Sequence, residues 1–386
     1  MPEKYIILRN VVESGGGLES LEDLPPIEEA ELTRAERSDI SRDPEIMAVA
    51  PPMPMRLIEP VGNDAEPGQL TSSTTAWGIE AVRAHESSFD GSGITVAVLD
   101  TGIDPNHPAF TGMNIVQKNF TEGSDNDTHG HGTHCAGTIF GQDVGGVRIG
   151  VARGVEKVMI GKVLGPGGGG SELLARAILW AVEGGAHVIS MSLGIDFPGW
   201  VERLIDLGME TQAATSKALE DYRYNINLFS QLSGLIKQLS KKTIVVAASG
   251  NESNRKPPGS DPPGYEIAVA PPAAGTGVIA VGALQNTSDG FTVAVFSNDQ
   301  VDISGPGVSI LSAKRGGGLV NKNGTSMATP HVAGVAALWA QRQLDHTGQV
   351  NEGILQAQLI ASGNLDQLKL GWVVDDVGTG IVQAPV

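Results

Sequence analysis

Residues 94–99, Ile-Thr-Val-Ala-Val-Leu, form an apolar run without a polar face, closed by Asp100. A strand that is apolar on both sides must be covered on both sides, so this run reads as a fully buried strand. Further strands are expected at 158–164, 187–193, 243–248 and 278–284, and helices at 171–184, 227–241 and 327–342. This alternation predicts an α/β architecture in three layers, with a mainly parallel central sheet covered by helices. Aromatic residues make up only 4% of the chain, so the core must be built from Val, Ile, Leu and Ala.

The first ~70 residues differ in composition. Residues 4–9, Lys-Tyr-Ile-Ile-Leu-Arg, read as a strand, followed by a connector rich in Gly, Pro and acids. Residues 27–41 carry helix-like charge patterning, and 45–50 are a second strand candidate ended by Pro51-Pro52. This small α+β segment is too short to hold itself together with its own core. Residues 62–75, rich in Gly, Pro, Ser and Thr, read as an exposed linker. The division expected is therefore 1–68 and 69–386.

Bulk properties exclude several function classes. A net charge of −18 argues against nucleic-acid and anionic-membrane partners. A single cysteine excludes an internal disulfide framework. No stretch approaches the ~20 apolar residues of a membrane span. The N-terminus holds only the four-residue apolar segment 5–8, shorter than a signal peptide needs. The chain as written therefore reads as cytoplasmic, or as secreted after loss of a leader.

Three short segments carry chemistry: Asp100-Thr101-Gly102, His131-Gly132-Thr133-His134 and Gly324-Thr325-Ser326-Met327-Ala328. A serine hydroxyl becomes a useful nucleophile when an imidazole removes its proton and a carboxylate holds that imidazole in the right tautomer. In order and motif, with His-Gly-Thr-His-Cys-Ala-Gly-Thr at 131–138 and Gly-Thr-Ser-Met-Ala-Thr-Pro-His at 324–331, the chain resembles the subtilisin-like serine proteases. The resemblance implies a serine endopeptidase working through an acyl-enzyme, with protein or peptide substrates and no cofactor needed for the chemistry.

By that resemblance Ser326 is the nucleophile, His131 the base and Asp100 the orienting carboxylate. His134 is then a buried structural histidine, His129 a loop residue and Asp104 a turn-stabilising one. Ala247-Ala248-Ser249-Gly250-Asn251 matches the oxyanion-hole segment, with the Asn251 amide and the Ser326 N–H as donors. Substrates are expected to add as a strand between Gly168-Gly169-Gly170 and Ser192-Leu193-Gly194. The segment 378–382 resembles the end of the family's catalytic domain, so no further C-terminal domain is expected. Cys135 matches a variant in which the thiol lies beneath the catalytic histidine without taking part in chemistry.

The resemblance also makes residues 1–68 a prosegment, an intramolecular inhibitor whose tail would run through 53–60 along the cleft. Leu57-Ile58-Glu59-Pro60 is similar to the Leu-Ile-Pro-Tyr extension of intracellular subtilisins, with Pro one place later. Two features depart from the family pattern. About thirty surplus residues fall around 195–224, expected as a loop that either leans over the cleft or lies apart from it. The loop 142–148 has the length of the family's calcium loop, but Ala109 stands where a carboxylate is expected. Asp143 is the candidate substitute, so calcium there stays open. The segment 252–269 is a candidate wall for the pocket before the scissile bond. Alternative readings are a processing peptidase or transpeptidase of restricted specificity, and a non-catalytic peptide-binding protein on the same scaffold.

Overall fold

In chain order the computed structural model, which describes residues 2–10, 27–65, 74–257 and 259–386, opens with strands β1 (Glu3–Arg9) and β2 (Ile27–Leu32), helix α1 (Arg34–Ile40), and strands β3 (Ile46–Ala50) and β4 (Pro54–Leu57). Then come α2 (Trp77–Ala81), β5 (Thr95–Asp100), β6 (Asn114–Asn119), α3 (His131–Phe140), β7 (Lys157–Lys162), β8 (Gly169–Gly170), α4 (Ser171–Glu183), β9 (Val188–Met191) and β10 (Leu193–Ile195). The remainder is α5 (Phe197–Asp206), α6 (Thr211–Leu239), β11 (Ile244–Ala248), β12 (Ile279–Thr287), β13 (Gly290–Val293), β14 (Ile303–Pro306), β15 (Ile310–Ala313), β16 (Leu319–Lys322), α7 (Thr325–Thr347), α8 (Glu352–Ala361) and α9 (Val374–Val377). Among the described residues no helix is long and apolar enough to cross a membrane.

The central sheet has eight strands in the order β13-β12-β11-β9-β5-β7-β6, with β14 beside β12. Only the β12–β13 pair is antiparallel. Alternate side chains of β5 serve two cores, as a strand covered on both faces requires. Val96 and Val98 pack with α3 and α7, whereas Ala97 and Leu99 pack with α4 and α6. The chain passes from β5 outward through β6 and β7, then returns to the other side of β5 as β9. Such a reversal opens a crevice at the carboxyl ends of the strands, and Asp100 closes β5 there.

Two expectations about the elements need correction. Residues 27–41 are not one helix: 27–32 form β2, antiparallel to β1, and only Arg34–Ile40 is helical, begun by a Thr33–Glu36 capping box. Two acids of this edge strand have ion-pair partners: Glu28 pairs across to Arg9 of β1, and Glu29 meets Lys4 of β1 and Arg176 of α4. The surplus near 195–224 is not a loop but α5 and the first half of the 29-residue α6. Its apolar side is consumed internally, with Leu204, Ala214 and Ala218 forming a separate cluster. The linker is exposed at 62–65, as expected, and its start is also tied to the 321–323 segment. Val61 N–H donates to Asn323 O at 2.8 Å, Ala65 pairs with Asn321, and Asp64 meets Lys322 at 2.5 Å. Its stretch 66–73 and the connector 11–26 lie outside the described residues.

The N-terminal sheet, β2-β1-β3, borrows its core. Ile6, Leu8, Ala48 and Ala50 pack in the same cluster as α4 and α6. Polar contacts reinforce this seat: Asn225 donates to Pro51 O at 2.9 Å, and the Arg37 guanidinium lies 5.0 Å from the Tyr224 ring centroid.

Two fully buried histidines and one largely buried one lie outside any ion pair. Burial holds His134 at about 3, with Lys322 adding to the effect, and His331 at about 4; His187 is also held at about 4 by burial and Lys242. Each is neutral in the folded chain and gains a proton on unfolding below the usual histidine value. Their stabilisation is thus complete above pH ~6.5 and is lost as pH falls towards 4. In a Ser326→Ala background, which prevents self-digestion, the unfolding midpoint should fall by roughly 5 °C or more between pH 6.5 and 4.5. A flat midpoint across that window in scanning calorimetry would contradict the neutral buried imidazoles.

Candidate active site

Asp100 and His131 come from opposite directions. Asp100 ends β5 with 1% of its surface exposed, and His131 begins α3, fully buried. His131 Nδ1 lies 2.8 Å from Asp100 Oδ1 and 3.1 Å from Oδ2, and Oδ1 also accepts the Thr101 N–H at 2.7 Å. Burial works against a charged imidazole, but the Asp100 carboxylate and the Cys135 sulfur outweigh it and raise the His131 pKa well above the ordinary value. A side chain at Gly132 would run into the Gly102 carbonyl oxygen, so the helix can approach the β5 end only with glycine there.

Asp127 frames the start of α3, a residue that no motif marked. Its buried carboxylate accepts from the backbone N–H groups of His129, Gly130 and Thr133 and from the hydroxyls of Thr101 and Thr133, at 2.6–3.0 Å. A carboxylate at a helix N-terminus satisfies donors that the helix leaves free. The only available sequence signal was its place four residues before His131 in a Gly/Asp-rich loop. Asp104 stabilises turns, accepting the Asn106 N–H at 3.2 Å and the Gly316 N–H at 2.8 Å. His134 points away from the cleft, its Nε2 3.0 Å from Ile310 O. His129 is partly exposed, with Nε2 3.7 Å from a Glu59 carboxylate oxygen.

Ser326 lies in the first turn of α7, and Asn251 follows β11 by three residues. The two are locked together through Thr325, whose N–H and hydroxyl both donate to Asn251 Oδ1 at 2.9 Å. This fixes the amide so that its Nδ2 faces the cleft. A Cβ on Gly324 would sit 2.9 Å from that nitrogen, which accounts for the glycine before Thr325.

Strand β4 fills the cleft. It lies antiparallel between β10 and β8, opposing Leu57, Arg56 and Met55 to Leu193, Gly194 and Ile195, and Met55 and Pro54 to Gly169 and Gly170. The Ile58 N–H continues the ladder towards Ser192 O at 3.5 Å. Ser326 Oγ donates to Ile58 O at 2.9 Å, while His131 Nε2 has no hydrogen-bond partner. Asn251 Nδ2 donates to the next carbonyl, Glu59 O, at 2.8 Å. Beside Arg56 stand Asp196 and Glu252, the latter the first residue of the segment after Asn251.

Among the described residues, one group of three could converge on an ion, Asp100, His131 and Cys135, and these already contact one another. Asp143 of the candidate calcium loop is paired with Arg153 at 2.8 Å.

With this geometry in place, the class is clear. Residues 91–369 match the Subtilase family, and the chain belongs to it; it is a subtilisin-like serine endopeptidase. It is 31% identical to the thermostable alkaline protease of Halalkalibacterium halodurans over 336 residues, 86% of this chain and 77% of that one. Subtilisin Savinase of Lederbergia lenta is 34% identical over 70% of this chain and 86% of its own length. The intracellular serine protease of Paenibacillus polymyxa is 33% identical over 73% and 78%. In fold it is similar to fervidolysin of Fervidobacterium pennivorans, a keratinolytic enzyme related to subtilisin, with a TM-score of 0.66 at 24% identity. That likeness covers 99% of this chain, which spans 60% of fervidolysin's length.

Cys135 Sγ lies 3.7 Å from His131 Nδ1, the nitrogen facing Asp100, and 3.3 Å from Ser326 O. Burial pushes its thiol up, so it is not a nucleophile at neutral pH. A mercurial bound there would wedge between His131 and its carboxylate. Stoichiometric mercurial should therefore abolish turnover, and Cys135→Ser should remain active and become resistant. An inactive Cys135→Ser protein of normal stability would give the thiol a part in the chemistry.

Proposed function

We propose that Ser326, His131 and Asp100 are the catalytic residues of this endopeptidase, and that residues 1–68 restrain the peptidase domain, 69–386, until they are cut away. Ser326 Oγ attacks the peptide carbonyl, and His131 Nε2 takes its proton and returns it to the leaving amine. Asp100 stabilises the imidazolium through the contact that already raises the His131 pKa. The Asn251 amide and the Ser326 N–H receive the developing oxyanion. Water then repeats the sequence on the acyl-enzyme. These side chains need no cofactor for any of these steps, and calcium at 142–148 would serve only structure.

The observation that carries the restraint is a division of labour between two carbonyls. For attack, one carbonyl must both face Ser326 Oγ and lie against the Asn251 amide. Here Ile58 O takes the hydroxyl and Glu59 O takes the amide. The nucleophile's proton is directed at the occupying strand instead of at His131. Pro60 supports this arrangement, since a residue before proline is confined to extended backbone and proline offers no N–H to the ladder beyond. The segment is thus held as a substrate is held but is not set up for cleavage at Ile58.

Ser326→Ala should lower turnover on the order of 10⁶-fold. Asn251→Ala should lower it about 10²–10³-fold with a much smaller change in KM, because the oxyanion arises only after attack. In wild type, mass spectrometry should find a shortened chain beginning downstream of Ala65, accumulating as activity rises. The Ser326→Ala protein should stay full-length if the cut is its own. A wild-type chain fully active with Met1 still attached would overturn the restraint. A shortened chain that neither reacts with a fluorophosphonate nor cleaves any peptide would favour the peptide-binding alternative. Labelling without turnover of generic proteins would favour the restricted processing enzyme.

A further inference from the structure

Arg56 lies in the cleft opposite Gly194, and its guanidinium is divided between two carboxylates. Nη1 is 3.1 Å from Asp196 Oδ1 and Nη2 is 3.0 Å from Glu252 Oε1. We propose that Asp196 and Glu252 form a cation subsite of the protease, selecting substrates with Arg or Lys at the third residue on the amino-terminal side of the scissile bond. This rests on the reading of the cleft as a peptidase site in which substrates take the register now held by residues 54–58. In that register Ile58, whose N–H points to Ser192 O, precedes the scissile bond, and Arg56 stands two residues before it.

Both acids have anchors in the cleft wall, besides the Asp196 N–H that donates to Pro54 O of the occupying segment at 3.2 Å. Asp196 caps α5, its Oδ1 accepting the Gly199 N–H at 3.1 Å. Helix α5 is braced on α6 by the Trp200–Asp221 hydrogen bond at 3.0 Å and by Phe197 packed edge-on against Tyr222, 5.5 Å between centroids. Glu252 Oε2 accepts from Asn298 Nδ2 at 2.8 Å, and the fully buried Asn298 returns its Oδ1 to the N–H groups of Glu252 and Ser253. The two carboxylates therefore keep their places when the strand leaves. They would then face the same position with like charge and no cation between them, so a basic side chain there restores what Arg56 provides. The inserted residues at 195–224 thereby gain a role, since the first of their helices supplies Asp196.

The test uses the full chain, left to process itself to constant activity, with Pro-Met-Xaa-Leu-Ile-p-nitroanilide peptides in which Xaa is Arg, Lys, citrulline, Met or Glu. The anilide fixes the register, and citrulline keeps the shape of arginine without its charge. Arg should exceed citrulline about tenfold in kcat/KM, since two partly exposed ion pairs act together, and Glu should be poorest. The ratio should shrink between 0.05 and 0.5 M salt. It should approach one in the Asp196→Asn/Glu252→Gln protein, whose substitutions keep the shapes and most of the local hydrogen bonds. Glu252→Lys should shift the preference towards Glu. Equal kcat/KM for Arg and citrulline in an active wild-type enzyme would overturn the subsite and leave the peptidase reading intact. So would a preference for Arg that survives in the double variant. If no peptide is cleaved and Ser326 takes no fluorophosphonate, the peptidase reading falls and the subsite with it.

Discussion

A buried carboxylate organises the cleft. Asp100 sits at the end of a strand covered on both faces, where an unpaired charge would cost several kcal/mol. It is tolerated because the Thr101 N–H and the His131 imidazole both meet it. That demand fixes where α3 must begin, and Asp127 and Gly132 are the local means of placing it there. The reversal of strand order between β5 and β9 then leaves room above Asp100 for α7 and the β11 loop to bring in Ser326 and Asn251. The site is the place where a sheet of this order cannot close over itself.

The same sheet chemistry governs what enters the cleft. β8 and β10 are short edges that present unpaired backbone groups, and edges of this kind invite a strand. β4 accepts the invitation from within the chain, and Met55 and the preceding Met53 are buried in the cluster shared with α4 and α6. Because recognition runs through backbone, the edge strands read few side chains, and selectivity has to come from the walls. The two walls that reach Arg56 are the inserted α5 and the segment after Asn251.

Much of this was legible in the sequence where one physical rule acted alone. Runs such as 94–99 and 243–248 are largely apolar on both faces and have few alternatives to a buried parallel strand. The short motifs marked Asp100, His131, Ser326 and Asn251, each rigidly tied to its local turn or helix start. What escaped had its reason in distant partners. β2 looked helical because Glu31, Arg34 and Arg37 follow at intervals of three, as on a helix face, and only pairing with β1 and the ion pair to Arg176 shows its acids to be on a strand. The insertion looked like a loop because its apolar stripe is narrow, and α5 and α6 bury it against each other. Asp127 carried no motif, since its role depends on five donors gathered by folding. That Ile58 O takes the Ser326 hydroxyl while Glu59 O takes the Asn251 amide depends on fine backbone placement, which composition and spacing do not encode.

The anchoring of the N-terminal segment on either side of the cleft has a kinetic meaning. Residues 46–50 are seated on α6, residues 61–65 are tied to β16, and β4 is stretched between the two attachments. A strand tethered at both ends rebinds at an effective concentration far above that of any free peptide. Severing the chain beyond Ala65 removes the covalent link but neither attachment. If this strand restrains the enzyme as proposed, the lifetime of that state is an off-rate governed by two docking surfaces, and loosening either one would shorten it without touching Asp100, His131 or Ser326.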